Sequence, residues 1–230
     1  MERGKKMGKL PDFIIMGEMK CGTTALYRYI TDHPKVEPAK RKELAFFHAY
    51  YDKGIEWYKS QFPDCEQCMT GEATGYLKFP NVARKIHKVL PKIKLILILR
   101  NPVDRAYSHY HMHLRKGIIS IPFEKAIQGK STYLDKGIYV RKLKRWMEIF
   151  PREQFHIVQS EKLYKQPQKT MDEIFKFLGL PRYKLNVYDH HNAGSYSKMN
   201  SETRKKLVDY YKPYNEELYQ LLGEKFNWDQ

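Results

Sequence analysis

Apolar positions recur along the chain in two rhythms. Residues 13–17, FIIMG, form a short apolar run closed by glycine, and Ala25, Leu26, Tyr29 and Ile30 then repeat at helical spacing until His33-Pro34 stops them. This predicts a strand, a glycine turn and a helix. A second such unit starts at 95–99, LILIL, five consecutive aliphatics that suit a strand buried on both faces of a parallel sheet. Asn101-Pro102 opens the helix that follows, with Val103, Ala106, Tyr107, Tyr110 and Leu114 on one face. A third strand is predicted over 154–160, QFHIVQS. It lies between a helix carrying Tyr139, Leu143, Trp146 and Phe150 and another carrying Met171, Ile174, Phe175 and Leu178 that stops at Gly179. The segment 201–222 is amphipathic, with Leu207, Tyr211, Tyr214, Leu218 and Leu221 inward and a kink expected at Pro213. Strands alternating with helices predict an α/β fold with right-handed crossovers and a mainly parallel central sheet flanked by helices. With no repeat, low-complexity tract or linker in view, residues 1–230 are expected to form a single domain, with 1–11 flexible.

Composition changes the picture little. At 230 residues and 42% hydrophobic, the chain is long enough to bury a sizeable core. No apolar run reaches membrane-spanning length, and the start MERGKKMGKLPDF lacks a signal-peptide stretch, so a cytoplasmic protein without a membrane partner is expected. The three cysteines, Cys21, Cys65 and Cys68, are too few for a disulfide framework and favour a reducing compartment. Cys65 and Cys68 form one C-x-x-C without a second ligand pair for zinc, and read as thiols in an ordinary turn. Charge matters more. The 42 Lys+Arg against 26 Asp+Glu give +16, which attracts anions: a nucleotide, a sulfated or carboxylated glycan, a nucleic acid or an acidic membrane surface. A solvated basic surface gives the same balance.

Candidate chemistry concentrates at 17–24, GEMKCGTT. A triphosphate-gripping loop reads G-x-x-x-x-G-K-[ST]; here Gly17, Gly22 and Thr24 are in place, but position 23 is Thr. Between a buried strand and a helix start, the N–H groups of Cys21, Gly22, Thr23 and Thr24 converge at the positive end of the helix dipole, where an anionic group is expected. The lysine of the loop, Lys20, is displaced toward the strand, and the strand at 95–99 ends in Arg100 where a nucleotide hydrolase would place a magnesium-holding carboxylate. A phosphate ligand without a chelated triphosphate, and without metal, fits this pattern. The rivals are a P-loop nucleotide kinase, opposed by the missing lysine, and a noncatalytic binder of polyanions or nucleic acid, motivated by the charge.

The loop K-x-G-T-T (Lys20, Gly22, Thr23, Thr24), KELAFF at 42–47 and RNPVDRAYSHY at 100–110 resemble the sulfotransferases that use 3′-phosphoadenosine-5′-phosphosulfate, PAPS. The nearest resemblance is to the heparan-sulfate-type and related bacterial carbohydrate sulfotransferases, and it continues through 137–163 and 192–228. It implies a P-loop-like three-layer fold and transfer of a sulfuryl group from PAPS, the co-substrate, to a hydroxyl or amine on a carbohydrate or small metabolite. No metal and no nucleic-acid or membrane partner are implied. By the same resemblance Lys20, Cys21, Gly22, Thr23 and Thr24 form the 5′-phosphosulfate loop, with Lys20 at the bridging oxygen that leaves, while Arg100 and Ser108 hold the 3′-phosphate. Arg suits planar recognition of phosphate, and the carboxyl end of a parallel strand is where ligands sit. A plain ion pair with Asp104 is the alternative for Arg100.

Glu43 matches the catalytic base of the heparan-type enzymes, since an acceptor must lose a proton as it attacks sulfur in line. A surface glutamate paired with Lys42 or Arg41 is the alternative. His109, His111 and His113 offer another base, as in the cytosolic sulfotransferases, with His109 and His113 sharing a helix face. Two departures from the family pattern follow. Glu72, in GEATGYL, stands near a place where heparan-type enzymes carry Lys, which weighs against a glycosaminoglycan acceptor. The family's Lys-Gly-Arg donor loop is replaced by Ala193-Gly194-Ser195-Tyr196, so Gly194, Ser195 and Tyr196 are carried over as donor contacts by position. The basic run RKLKRW, 141–146, suits a solvated helix face or a polyanionic acceptor.

Overall fold

The computed structural model describes residues 8–65, 67–129, 131–185 and 196–228. Five strands form one parallel sheet: β1 (Phe13–Ile15), β2 (Val36–Pro38), β3 (Met69–Ala73), β4 (Lys94–Leu99) and β5 (Phe155–Gln159), in the order β2-β3-β1-β4-β5. β1 is central, with Ile14 in register with Glu72 on one side and Leu95 on the other. The helices that link and cover the strands begin with α1 (Thr23–Thr31), α2 (Phe46–Ala49), α3 (Gly54–Lys59) and α4 (Val82–Val89). After β4 come α5 (Pro102–Arg115), α6 (Phe123–Ala126), α7 (Thr132–Asp135) and α8 (Tyr139–Met147). After β5 come α9 (Ser160–Lys165), α10 (Pro167–Leu178) and α11 (Ser201–Leu222).

The run at 95–99 shows why the sheet is covered twice. Its alternate side chains enter different cores: Ile96 and Ile98 pack with Leu26, Ile30, Ile174 and Phe175 of α1 and α10. Leu95, Leu97 and Leu99 pack with α4, α5, α8 and α11 through Ile86, Val103, Leu143 and Leu218. Each such buried aliphatic stabilises the fold by roughly 1.5–3 kcal/mol, which fixes the strand between the two helix layers. The expected α/β layering is therefore present.

Local chemistry sets the helix ends. Asn101 caps α5 by accepting the Val103 N–H at 2.9 Å, with Pro102 in the first turn as the sequence predicts. Asn200 caps α11, which runs through Pro213 to Leu222. Leu114, predicted inward, is 40% exposed, because α5 ends one residue later and its last turn overhangs the core.

β2 and β3, VEP and MTGEA, lack an apolar rhythm and are not predicted. β3 is admitted to the sheet by its neighbours instead. Gly71 leaves room for the Phe13 ring, which would stand 2.6 Å from any added Cβ, and Glu72 is satisfied by hydroxyl groups. In the turn before β3 the structure corrects the thiol reading, because Cys65 and Cys68 are joined as a disulfide.

Candidate active site

The carboxyl ends of β1 and β4 open on one cleft of about 970 Å³, the usual place for a ligand in a parallel sheet. Gly17, Glu18, Met19, Lys20 and Gly22 line its floor, while Cys21 between them is buried and does not line it. The loop stays joined to β4 beyond β1, since Glu18 N–H donates to Ile98 O and Ile98 N–H donates to Gly17 O, each at 2.9 Å. Lys20 and Gly22 then take left-handed conformations, φ 70° and 103°, that turn the chain into α1. A Cβ on Gly22 would lie 2.9 Å from the Tyr164 hydroxyl oxygen. Thr23 and Thr24 line the cleft, and among the described residues no side chain caps the first turn of α1, so its N–H groups are left for an anion.

Arg100 leaves the end of β4 beside this loop. Its Nη1 donates to Lys20 O at 3.5 Å, while its own carbonyl accepts from the Tyr139 hydroxyl at 2.8 Å. The ion-pair alternative does not hold: the Asp104 carboxylate takes Arg204 at 2.7 Å and acts on Arg100 only through its field. Ser108, buried on α5, lines the same cleft. Tyr196 lines it too, hydrogen-bonding with Arg100 and stacking on His111 at 4.4 Å. Gly194 and Ser195 lie outside the described residues.

Lys20 is partly buried at the centre of this floor. Burial, and then the Arg115, Arg100 and Lys116 cations, hold its ammonium below its ordinary value, so this corner is short of negative charge.

Glu43 lies on the wall formed by the segment between β2 and α2. Its side chain is 66% exposed and accepts from Lys42 Nζ at 3.0 Å, the pairing that the surface alternative expects, and it lines the cleft. His48 lines the same wall, stacked on Phe79 at 4.1 Å, and no motif or spacing singles it out. Burial and Lys78 hold its imidazole below its ordinary value, with Glu43 opposing.

The histidines of α5 are placed differently. His109 is 1% exposed and shares a proton position with His113, Nε2 to Nε2 at 3.2 Å, while His113 Nδ1 meets the Tyr133 hydroxyl at 2.9 Å. Burial, then Lys136 and Arg105, bring His109 down to about 3. His111 lies against Tyr196 and Tyr107. None of the three is among the residues that line the cleft.

Glu72 is likewise removed from the cleft. It is fully buried and accepts from Tyr58 at 2.6 Å, Thr74 at 2.5 Å and Tyr76 at 3.0 Å. Burial pushes its carboxyl up, with those hydroxyls opposing. It therefore stands behind the cleft wall, and the missing lysine of the heparan-type pattern remains a departure. The run 141–146 is also not one solvated face: Lys142 turns inward to Glu18 at 2.9 Å and Lys144 pairs with Glu217. Among the described residues, no group of three or more His, Cys, Asp or Glu side chains is arranged to hold a metal ion.

Residues 10–219 match the family described as sulfotransferase domain. The chain is 32% identical to heparan sulfate glucosamine 3-O-sulfotransferase 5 of Mus musculus, over 96% of this chain and 74% of that protein. It is 28% identical to the membrane-associated sulfotransferase kil1 of Dictyostelium discoideum, over 95% of this chain and 66% of that protein, so it spans just under two thirds of that relative. Among solved structures, a sulfotransferase from Alicyclobacillus acidocaldarius superposes with a TM-score of 0.83 at 26% identity, covering 96% of this chain and 100% of that one.

Proposed function

Because this chain belongs to the sulfotransferase family, we propose that its cleft binds PAPS and transfers the sulfuryl group to a hydroxyl or amine of an anionic carbohydrate. One observation carries this reading. The uncapped start of α1, the Arg100–Ser108 pair and the Lys20–Glu43 pair all converge on a single cleft.

The donor residues divide the work by charge. The N–H groups at Thr23 and Thr24 and the α1 dipole receive the 5′-phosphosulfate, and Arg100 with Ser108 receives the 3′-phosphate. In the transfer step the acceptor oxygen or nitrogen forms a bond to sulfur as the bond from sulfur to the bridging oxygen breaks. Charge grows on that oxygen, which leaves on the 5′-phosphate, and the Lys20 ammonium stabilises it. The acceptor proton passes to the Glu43 carboxylate.

The remaining lining supports an anionic acceptor. Arg41, Lys78, Arg115, Lys116 and Lys136 line the cleft beyond the donor residues. Its other carboxylates are engaged: Glu18 with Lys142, Asp104 with Arg204, and Glu161 with the Asn101 N–H. The mouse relative's name places its acceptor in heparan sulfate, which supports the carbohydrate class.

The test is transfer from radiolabelled PAPS to a panel of sulfated and carboxylated oligosaccharides, neutral oligosaccharides and phenols. Label should enter the anionic carbohydrates by preference. Preferential labelling of phenols or neutral sugars would refute the acceptor class, and no transfer to any member would leave the donor reading without its reaction.

A further inference from the structure

Beneath the phosphosulfate loop lies a buried group of charges that the transfer step does not use. Glu18, within the loop, is 3% exposed. Its Oε2 accepts from Lys142 Nζ at 2.9 Å and its Oε1 from the Met19 N–H at 2.8 Å, while its carbonyl accepts from the Cys21 N–H at 3.2 Å. Lys142 reaches this point from α8, and the same Nζ donates to Lys136 O at 2.7 Å. Lys136 in turn lines the cleft. Arg105 of α5 is fully buried nearby, and its charge acts on both Glu18 and Lys142. Its Nε and Nη1 have no hydrogen-bond partner among the described residues.

Two effects follow from placing an anion inside an anion-binding loop. Glu18 shapes the loop by accepting its Met19 N–H. Its negative charge also opposes the phosphosulfate unless a cation cancels it. Burial pushes the Glu18 carboxyl up, but the Lys142 ammonium and the Met19 N–H more than offset this and hold it below its ordinary value. Burial draws Lys142 down, while Glu18, whose Oε2 is 2.9 Å from Lys142 Nζ, opposes that change. Deleting one member of a buried pair costs more than deleting both, because a lone charge is left behind. Here the lone charge after loss of Lys142 would be negative and would lie under the donor.

Taking the donor reading above as given, we infer that Lys142 is a positioning residue for the donor: by neutralising Glu18 it sets the anion affinity of residues 17–24. It touches neither the donor nor the acceptor. Its effect reaches the donor through Glu18, and it should be selective for that substrate.

Calorimetry with adenosine 3′,5′-bisphosphate, the desulfated donor, tests this on the wild type, Lys142→Met, Glu18→Gln and the double variant, with thermal melts as the control for folding. Lys142→Met should weaken binding about tenfold or more, and Glu18→Gln/Lys142→Met should return to within about threefold of the wild type. Glu18→Gln alone should not weaken it beyond about threefold, since the cations remain. Steady-state rates should show the donor KM of Lys142→Met raised, with the acceptor KM changed less than about twofold. Equal weakening in both single variants, or a Lys142→Met that binds like the wild type, overturns the inference while leaving the donor reading intact. A wild type that does not bind overturns both. Should Lys142→Met fail to fold, Glu18→Gln and the double variant carry the comparison. Equal affinities then support the inference, and a double variant about tenfold weaker than Glu18→Gln overturns it.

Discussion

Lys20 works from a left-handed backbone position, φ 70°, that holds its side chain among cations. In the proposed reaction an anionic donor relieves that crowding, and the bond that breaks leaves charge within the lysine's reach. Lys20→Ala is expected to lower kcat about 10²–10³-fold, by analogy with loss of one preorganised donor to a developing anion, with little change in melting temperature. Glu43→Gln should lower it about 10²–10⁴-fold as the proton acceptor is lost. Steady-state transfer assays check both, and a Glu43→Gln enzyme with normal turnover would direct attention to His48. His109 supplies a pH prediction of a different kind. Its folded-state value of about 3 lies below the ordinary 6.5, so the unfolded chain takes the proton first. Stability is then complete above about pH 6.5 and falls through the window down to about pH 3, by at most about 1.4 kcal/mol per pH unit from this group. His109→Gln should flatten melting temperature against pH between 7 and 4, and an unchanged slope contradicts the assignment. At this scale Lys20 and Arg100 were legible because each terminates or follows a strand whose pattern is plain. Glu18 and Lys142 were not, because a charged residue carries no mark of the partner that lets it be buried. The one signal for Lys142 is that it falls on the inward face set by Tyr139, Leu143 and Trp146.

The decisive element is the turn from β1 into α1. Gly22 meets two demands there, a φ of 103° and a Cβ-free approach to Tyr164. Gly22→Ala should lower the melting temperature by a few degrees, for a cost on the order of 1 kcal/mol, and should weaken adenosine 3′,5′-bisphosphate binding more than Gly75→Ala, whose added Cβ meets nothing within 4 Å. Equal effects of the two substitutions would contradict the need for a bare backbone in the loop. β4 and β5 and the helices packed on them were readable because one residue pattern determined their burial. β2 and β3 were not, since Val36–Pro38 and Met69–Ala73 are held by the Phe13 ring over Gly71 and by the hydroxyl cage around Glu72. Those causes lie far away in sequence. The same distance hid the true position of Glu72, whose charge looked like part of the acceptor site and is instead enclosed behind it.

Over the whole molecule, +16 is not spread evenly in its consequences. Cationic side chains from four separate parts of the chain, at Arg41, Lys78, Arg115 and Lys136, face one cleft. Raising salt from about 50 to 200 mM should therefore raise the KM for an anionic oligosaccharide several-fold while leaving that for a neutral acceptor nearly unchanged, because screening weakens charge attraction specifically. Kinetics at the two salt concentrations check this. Among the described residues no helix is long and apolar enough to cross a membrane. Net charge in the sequence points to anions without saying where they would bind; the parallel sheet brings the ends of β1 and β4 side by side at the cleft that these cations line. The most direct measurement is a calorimetric comparison of adenosine 3′,5′-bisphosphate with AMP on the wild type and Arg100→Ala. The bisphosphate should bind the wild type at least about tenfold more tightly, and Arg100→Ala should remove that preference. Equal affinity of the wild type for the two nucleotides, or no binding of either, would contradict a cleft built for a 3′-phosphorylated sulfuryl donor.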